Sequence, residues 1–162
     1  GSYEGSWING VIEGIGIAKY ANGLVYEGEF SRGKNNGSGT MTYSDGYVYK
    51  GNWKNGIQEG KGEEKFPNGT TYKGEFKNNQ RHGKGTMKME DGFSYTGDWV
   101  SGEMSGKGIA VYANGDQYDG YFLNGKREGK GVMTFKEGET IDAIWEAGKE
   151  VRKDKSKTTP NN

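Results

Sequence analysis

A short phrase built around a tyrosine recurs along the chain at an unbroken period of 23 residues. In each copy, glycine stands two positions after the tyrosine, and tryptophan or phenylalanine stands four positions after it. The six tyrosines are Tyr3, Tyr26, Tyr49, Tyr72, Tyr95 and Tyr118. A fixed short period without insertions is typical of a repeat array, whose units are too small to form separate cores and therefore stack. The sequence predicts a repeat protein whose function lies on a surface shared by several copies.

The amino-acid composition fits a repeat array better than a compact domain. Only 30% of the 162 residues are hydrophobic, and 31 residues are glycine. Apart from Gly1, the glycines occupy fixed columns of the repeat, which indicates positions that need a positive φ angle or the close approach of another group. Lysine plus arginine and aspartate plus glutamate both number 22, so no overall charge attracts the chain to nucleic acid.

The residues needed for catalysis or metal binding are scarce. Cysteine is absent, and His82 is the only histidine, in a column that we expect to form a surface loop. A typical zinc site needs several such ligands, and a nucleophilic serine needs a base beside it. We therefore predict no enzymatic activity, no cofactor, no metal site and no nucleic-acid partner.

Each copy contains two short runs of strand character, for example residues 26–30 and 39–43. Residues 31–38 between them are expected to form a loop. The link to the next copy ends in Asn-Gly or Asp-Gly, which suits either a two-residue type I′ turn or a three-residue type I turn with a glycine bulge. Pro67, the first residue of one link, favours the three-residue turn because proline fits the position after the start of a type I turn.

The three-residue turn fixes which residues lie opposite one another in neighbouring strands. The predicted pairs are Tyr43 with Tyr47, Met41 with Tyr49, Gly39 with Gly51 and Gly37 with Trp53. Opposed residues share a face of the sheet, so the rings lie on one face, above glycines, and Thr40 and Lys50 lie on the other. The predicted fold class is all-β, an elongated single-layer sheet of about twelve antiparallel strands that coils into an open groove.

The ends of the array differ from its middle. We expect the array to span residues 3–148, with a degenerate seventh copy from Ile141 that caps it, and a basic disordered tail to follow at residues 149–162. The strand around Tyr3 would have an unpaired outer edge, which natural proteins usually cover. We interpret this edge as a cut in a longer array or as a contact with a partner chain, including self-association through array ends.

The ring-bearing face is the first candidate binding site. Its surplus of tyrosine and tryptophan suits the binding of an apolar or amphipathic protein segment, and packing of the rings on one another is the alternative. Glu64 adds a carboxylate to this face, which either meets a basic group of a ligand, pairs with a local lysine or faces water. The candidate partner-binding residues are Tyr26, Tyr49, Trp53, Glu64, Tyr72, Trp99 and Tyr118.

A row of lysines, one in each of four consecutive Gly-Lys-Gly segments, is the second candidate site. Equivalent side chains would stand about 10 Å apart, in an arrangement that suits anionic phospholipid. The alternative is a solvated edge of mixed charge, because Glu59 and Glu128 each precede one of these lysines by two residues. The candidate lipid-binding residues are Lys61, Lys84, Lys107 and Lys130, with Arg81 and Arg127 nearby.

The pattern Tyr-x-Gly-x-Trp/Phe-x-x-Gly-x-x-x-Gly-x-Gly, as in residues 49–62, closely resembles the MORN (membrane occupation and recognition nexus) repeat. The resemblance covers residues 3 to about 148. It implies a single-layer β-sheet whose groove binds a partner helix or extended segment, in a scaffold at membranes or cytoskeletal structures. Some members of this family are linked to phosphoinositides, and similar arrays precede the catalytic domains of certain lipid kinases and lysine methyltransferases.

Together these features predict a non-enzymatic scaffold that binds a protein segment. No signal peptide or membrane-spanning segment is visible, and we expect a cytoplasmic location at the periphery of a membrane or of the cytoskeleton. The alternatives are a module that binds phosphoinositides or other anionic lipids, and the regulatory array of a larger enzyme.

Overall fold

The computed structural model describes residues 1–154, which form one antiparallel sheet of fourteen strands in chain order. The strands are β1 (Ser2–Ile8), β2 (Val11–Lys19), β3 (Val25–Ser31), β4 (Lys34–Thr42), β5 (Val48–Lys54), β6 (Ile57–Lys65), β7 (Thr71–Lys77), β8 (Gln80–Lys88), β9 (Ser94–Val100), β10 (Glu103–Val111), β11 (Gln117–Leu123), β12 (Lys126–Thr134), β13 (Thr140–Glu146) and β14 (Lys149–Lys153). The predicted all-β class and the elongated, unclosed sheet are confirmed. The sheet has more strands than predicted because the atypical seventh copy also forms a hairpin.

The turn that links one copy to the next has the three residues predicted from Pro67. In the second link, the Tyr43 N–H donates to the Tyr47 carbonyl at 2.8 Å, and the Gly46 N–H donates back to the Tyr43 carbonyl at 3.0 Å. Gly46 has a φ angle of 94°, in the left-handed region that closes a glycine bulge. The predicted pairs of β4 with β5 follow from this turn and are confirmed, including Met41 with Tyr49.

The prediction of a loop at residues 31–38 is wrong. Arg32 and Gly33 form a two-residue turn, with φ angles of 51° and 76°, and β4 begins directly after it at Lys34. Positive φ angles at both turn residues define a type I′ hairpin. Gly37, near the end of the expected loop, has a φ angle of 76° and lies in a bulge within β4. By the same correction His82 lies in strand β8 rather than in a loop.

The core is a single layer of rings on one side of the sheet, which we call the ring face. The tyrosines that open the second to sixth copies are the most deeply buried large side chains among the described residues. Tyr26 packs edge-on against Phe30 of its own copy at 4.9 Å between ring centroids, and against Trp53 of the next copy at 5.6 Å. The same contacts recur along the array, so neighbouring copies share one continuous core.

Glycine in the strands is required because the tyrosine rings lie directly on the backbone. A Cβ atom added at Gly39 would stand 2.1 Å from the hydroxyl oxygen of Tyr26. The hydroxyl donates to the Glu29 carbonyl at 2.8 Å, which holds the ring in place. A core of this kind needs few apolar residues, and it explains how a chain that is 30% hydrophobic can fold.

The two ends of the sheet depart from the regular pattern. Trp7 in β1 is 57% exposed, whereas the equivalent Trp53 is 6% exposed and donates its Nε1–H to the Gly39 carbonyl of the preceding copy at 3.0 Å. The pairing of the β1 edge with another chain stays a prediction. At the other end, Lys149–Lys153 forms β14 against β13, so a disordered tail that starts at Lys149 is wrong for these five residues. The rest of the expected tail, at residues 155–162, lies outside the described residues.

Candidate functional site

The groove that the sequence predicts is present, but it lies on the side of the sheet opposite to the rings. We call this side the groove face. Thr40, Lys50, Glu63 and Lys73 lie side by side on it in successive strands β4 to β7. An open cavity of about 790 Å³ is bounded by these side chains, by their neighbours Lys61 and Glu75, and by the backbone of glycines such as Gly51. The walls of the cavity therefore combine charged groups with the aliphatic stems that carry them, and the floor is glycine backbone.

The rings predicted to bind a partner are all brought together, but within the core. Tyr26, Tyr49 and Tyr118 are fully buried, and Trp53 and Trp99 are nearly so. Burial raises the pKa of Tyr26 and of Tyr118 to about 12. Contact of a partner with these rings would require the core to open. Their role in binding stays a prediction, while their role in packing is what the geometry supports.

Glu64 pairs with groups of the chain itself. Its carboxylate accepts hydrogen bonds from the hydroxyl of Tyr47 at 2.7 Å and from Nη1 of Arg81 at 3.2 Å. The guanidinium lies over the rings of Trp99 and Tyr72, at 5.2 and 5.7 Å from their centroids. Burial and the hydrogen bond to Glu64 raise the pKa of Tyr47. Of the alternatives open for Glu64, local pairing is therefore the observed one, with arginine rather than lysine as its partner.

The two arginines grouped with the lysines in the sequence lie on the other face of the sheet. Arg127 stacks on the ring of Trp145, 4.7 Å from the ring centroid, and donates from Nη2 to the Gly148 carbonyl at 2.5 Å. Arg81 and Arg127 thus cover the ring face, and the structure does not bring them to the lysines. Such cation–π contacts stabilise the sheet, and they hold both guanidinium groups against the rings.

Lys61, Lys84, Lys107 and Lys130, the lysine row, are exposed and lie in strands on the groove face. Two of them face carboxylates in the next strand. Lys61 is opposite Glu75, and Lys84 is opposite Asp98 and forms an ion pair with it. The ammonium group of Lys84 lowers the pKa of Asp98. Lys107 and Lys130 instead face Tyr121 and Ile144. Acidic residues therefore face the first two lysines of the row, with an ion pair at Lys84, whereas a tyrosine and an isoleucine face the last two.

Sequence reasoning missed a set of carboxylates that bind backbone N–H groups in the bulges. Glu75 accepts from the Lys84 amide at 2.6 Å, and Asp98 accepts from the Lys107 amide at 3.0 Å. Glu29 accepts from the Ser38 amide at 2.5 Å in the same way. The signal was the acidic residue after the glycine in the Tyr-x-Gly-x-Trp/Phe phrase, present in three of the six copies.

A second column of side chains holds the type I′ turns. His82 accepts from the Ser101 amide through Nδ1 at 3.3 Å, in the position where Glu59 accepts from the Asn78 amide at 3.0 Å. The histidine therefore supports a turn of the next copy. Within residues 1–154, no group of three or more histidine, cysteine or acidic residues could hold a metal ion. Residues 1–154 contain no helix that is long and apolar enough to cross a membrane.

The fold and the groove define a tandem β-hairpin repeat protein with a single-layer open sheet. A family model described as the MORN repeat matches residues 3–25, 26–46, 49–71, 72–93, 95–117 and 118–140. The chain therefore belongs to the MORN repeat family, as the sequence pattern predicts, and the MORN repeat is a non-catalytic repeat module. No curated protein matches the chain in sequence.

Solved structures contain sheets of the same kind. The chain is similar to the TCP domain of SAS-4 (dCPAP) of Drosophila melanogaster, whose structure was solved in complex with a proline-rich motif of Ana2 (dSTIL). The TM-score is 0.52 at 13% sequence identity, and the match covers 80% of this chain and 72% of the TCP domain chain. At this identity the similarity establishes a shared fold.

Proposed function

We propose that this protein is a non-enzymatic scaffold that binds a segment of a partner protein along the groove face, in the cytoplasm at membrane-associated or cytoskeletal structures. The observation that carries the proposal is the open cavity of about 790 Å³ above strands β4 to β8. Its volume lies within the range of about 300–1,000 Å³ that binding sites usually have. On the opposite face the rings of the repeat phrase are packed in the core, and a smaller cavity of about 590 Å³ is lined by Phe93, Met104 and Tyr112.

The lining of the cavity supports a peptide as the occupant. Peptide groups at the glycine floor and charged groups of both signs, such as Lys50, Glu63 and Lys73, can satisfy the backbone and polar side chains of an extended or helical segment. The similar TCP domain was solved with a proline-rich motif bound, which supports the same class of partner for this chain. In this arrangement Tyr49, Trp53 and the other rings hold the floor of the site and do not touch the partner.

A pair of matched charge reversals tests the location of the site. Peptides selected from a displayed random library by binding to the chain serve as the probe. Lys50→Glu with Lys73→Glu changes the cavity wall, and Lys54→Glu with Lys77→Glu makes the same change farther along the same strands, outside the cavity. We expect the first pair to weaken binding of the selected peptides at least tenfold and the second pair to leave it within twofold, which is about 0.4 kcal/mol.

All four lysines are exposed, and thermal unfolding of each double variant checks that the sheet is intact. Equal loss of binding in both double variants, or retention in both, contradicts the proposed site. In that case the ring face, with Trp53 and Trp99, becomes the site to test next, as the sequence alone predicts.

The lipid-binding alternative is favoured by one observation, the exposure of all four lysines of the lysine row on one face. It predicts binding to vesicles that contain anionic phospholipid, with strong weakening by salt and loss on changing Lys61, Lys84, Lys107 and Lys130 to glutamate. Vesicle binding that survives these four changes excludes it. The facing carboxylates Glu75 and Asp98 reduce the field that the row can exert.

A further inference from the structure

A line of side chains across the groove face alternates in charge and then stops alternating. From β6 to β10 it runs through Lys61, Glu75, Lys84, Asp98 and Lys107, each in register with or hydrogen-bonded to the next. In β11 the next position is occupied by Tyr121 instead of an acidic residue. Tyr121 is 49% exposed, and the line continues beyond it with Lys130 opposite Ile144. Two lysines in succession therefore have no carboxylate opposite them.

The acidic residues of this line have a defined structural task. In three copies the bulge residue before the amide is a glycine at positive φ, for example Gly83 at 77° and Gly106 at 110°. This conformation directs the following N–H to the side chain of the preceding strand, and a carboxylate of Glu29, Glu75 or Asp98 accepts it. In three copies, therefore, the amide at the bulge binds a carboxylate.

The sixth copy keeps the bulge but lacks the carboxylate. Gly129 has a φ angle of 76°, equivalent to the other bulge glycines, and Lys130 follows it. Within residues 1–154, no side-chain oxygen accepts a hydrogen bond from the Lys130 amide. The hydroxyl of Tyr121 stands at the far end of a rigid ring and cannot take the place of a short acidic side chain. Ser6 and Asn52 occupy this position in the first and third copies, and among the described residues neither accepts the bulge amide either. The sixth copy differs from them because Tyr121 and Ile144, rather than acidic residues, lie opposite Lys107 and Lys130.

Among the described residues, no ion pair reaches the ammonium group of Lys107 or of Lys130, and Asp98 meets Lys107 only at its backbone amide. Asp119 lies two residues before Tyr121 on the same face, yet among the described residues no ion pair joins it to Lys107 or to Lys130. The surroundings of the position are partly apolar, with Tyr121 and Ile144 in the line and Ile109 exposed beside it. A carboxylate at this point would meet an N–H donor and two ammonium groups at the edge of an apolar patch.

We propose that the partner segment supplies this missing carboxylate. An aspartate or glutamate of the bound segment, with apolar residues beside it, lies over Tyr121, accepts the Lys130 N–H and meets the ammonium groups of Lys107 and Lys130. This inference rests on the proposed function. It adds that the partner segment is acidic and that the sixth copy of the repeat binds its carboxylate. Charge complementarity and the carboxylates already seated on the equivalent amides both favour an acidic peptide as the occupant.

The test inserts the missing carboxylate into the chain itself. Tyr121→Glu reproduces what the second and fourth copies have, with the shorter Asp98 in the fifth, so it is compatible with the fold, and Tyr121→Phe is the matched control without charge. The probes are a peptide selected from a displayed random library on the full chain, and the same peptide with its acidic residue changed to the amide form. We expect the selected peptides to share one acidic residue, and its neutralisation to weaken binding about tenfold, the effect of losing one charge-assisted hydrogen bond.

Tyr121→Glu is expected to weaken binding of the acidic peptide about tenfold and to abolish the difference between the two peptides, whereas Tyr121→Phe leaves both affinities as they are. In ¹H–¹⁵N spectra the Lys130 amide should shift with the acidic peptide and not with the neutral one. Selected peptides without a shared acidic residue, or equal effects on both peptides, overturn the inference.

The outcomes separate this inference from the proposed function. Peptides that lose binding on Lys50→Glu with Lys73→Glu but not on Tyr121→Glu leave the scaffold function standing and remove the acidic contact. Absence of any selected peptide counts against both. Binding of vesicles of phosphatidylcholine with phosphatidylserine that Tyr121→Glu weakens, without peptide binding, assigns the position to a membrane surface and overturns the inference.

Discussion

Replacing the ion pair of Glu64 and Arg81 by methionine, singly and together, tests how the ring face tolerates charge. Other copies of the repeat already carry methionine at these columns. Met41 and Met87 occupy the column of Glu64, and Met104 occupies the column of Arg81. Methionine at both positions is therefore compatible with the backbone of the repeat, so the free energies of unfolding of the variants report on the pair itself.

The expected losses differ between the variants. Arg81→Met leaves the Glu64 carboxylate, 9% exposed, with the Tyr47 hydroxyl as its remaining partner, and should cost about 3 kcal/mol. Glu64→Met leaves Arg81 stacked on two rings with its side chain 22% exposed, and should cost about 1 kcal/mol. The double variant removes both charges and places thioethers against the rings, so we expect about 1 kcal/mol instead of a sum of about 4 kcal/mol.

Urea unfolding of the four proteins measures these differences, and hydrogen exchange of β6 to β8 localises them, because a repeat array need not unfold as one unit. Glu63→Gln with Lys73→Gln removes an exposed ion pair of the groove face and serves as the control, with an expected change within about 0.5 kcal/mol. If the double methionine variant loses the sum of the single losses, the carboxylate and the guanidinium act independently and the reasoning fails.

Three further predictions concern the core and the turns. Gly39→Ala should destabilise the array by about 1–3 kcal/mol in urea unfolding, because its Cβ meets the pinned ring of Tyr26; an unchanged midpoint would show that the ring can move aside. Burial raises the pKa of Tyr26 and of Tyr95 to about 12, so the unfolded state releases these protons first and stability should fall as the pH rises from about 10 to about 12. Tyrosinate absorbance and loss of strand circular dichroism should then coincide, and ionisation without loss of structure would contradict this. His82→Ala should cost about 1 kcal/mol by leaving the Ser101 amide without its acceptor, and His82→Asn should restore most of it, as judged by thermal unfolding.

The regular part of the fold could be predicted because each copy repeats the same local rules. Pro67 and the Asn-Gly links determine one turn, and alternation along the strands then assigns every ring to one face. The second turn was missed although Asn55-Gly56 is a strong hairpin signal, because the polar, glycine-rich run after it looks like a loop. That run is a strand interrupted by a bulge at Gly60, where the φ angle is 94°. Bulge glycines and loop glycines have the same composition, and only the pairing distinguishes them.

The side of the groove could not be predicted from alternation. Alternation tells which residues share a face, but not which face packs on itself and which stays open. The rings close their own face because each tyrosine finds two edge-on neighbours in successive copies, such as Phe76 and Trp99 for Tyr72. The pairing of Glu64 with Arg81 could not be predicted from the sequence either. Arg81 lies 17 residues away, and only the register of three strands brings the two side chains together.

The division between the two faces suggests where specificity resides in an array of this kind. The ring face must keep tyrosine, glycine and an aromatic residue in every copy, because each copy completes the core of its neighbour. The groove face carries a weaker constraint: Glu29, Glu75 and Asp98 each accept a bulge amide, but Asn52 or Tyr121 holds the same position in other copies without loss of the fold. A partner that crosses several copies meets identical backbone but different side chains. Departures from the repeat on the groove face, and Tyr121 above all, are therefore the positions at which one partner can be distinguished from another.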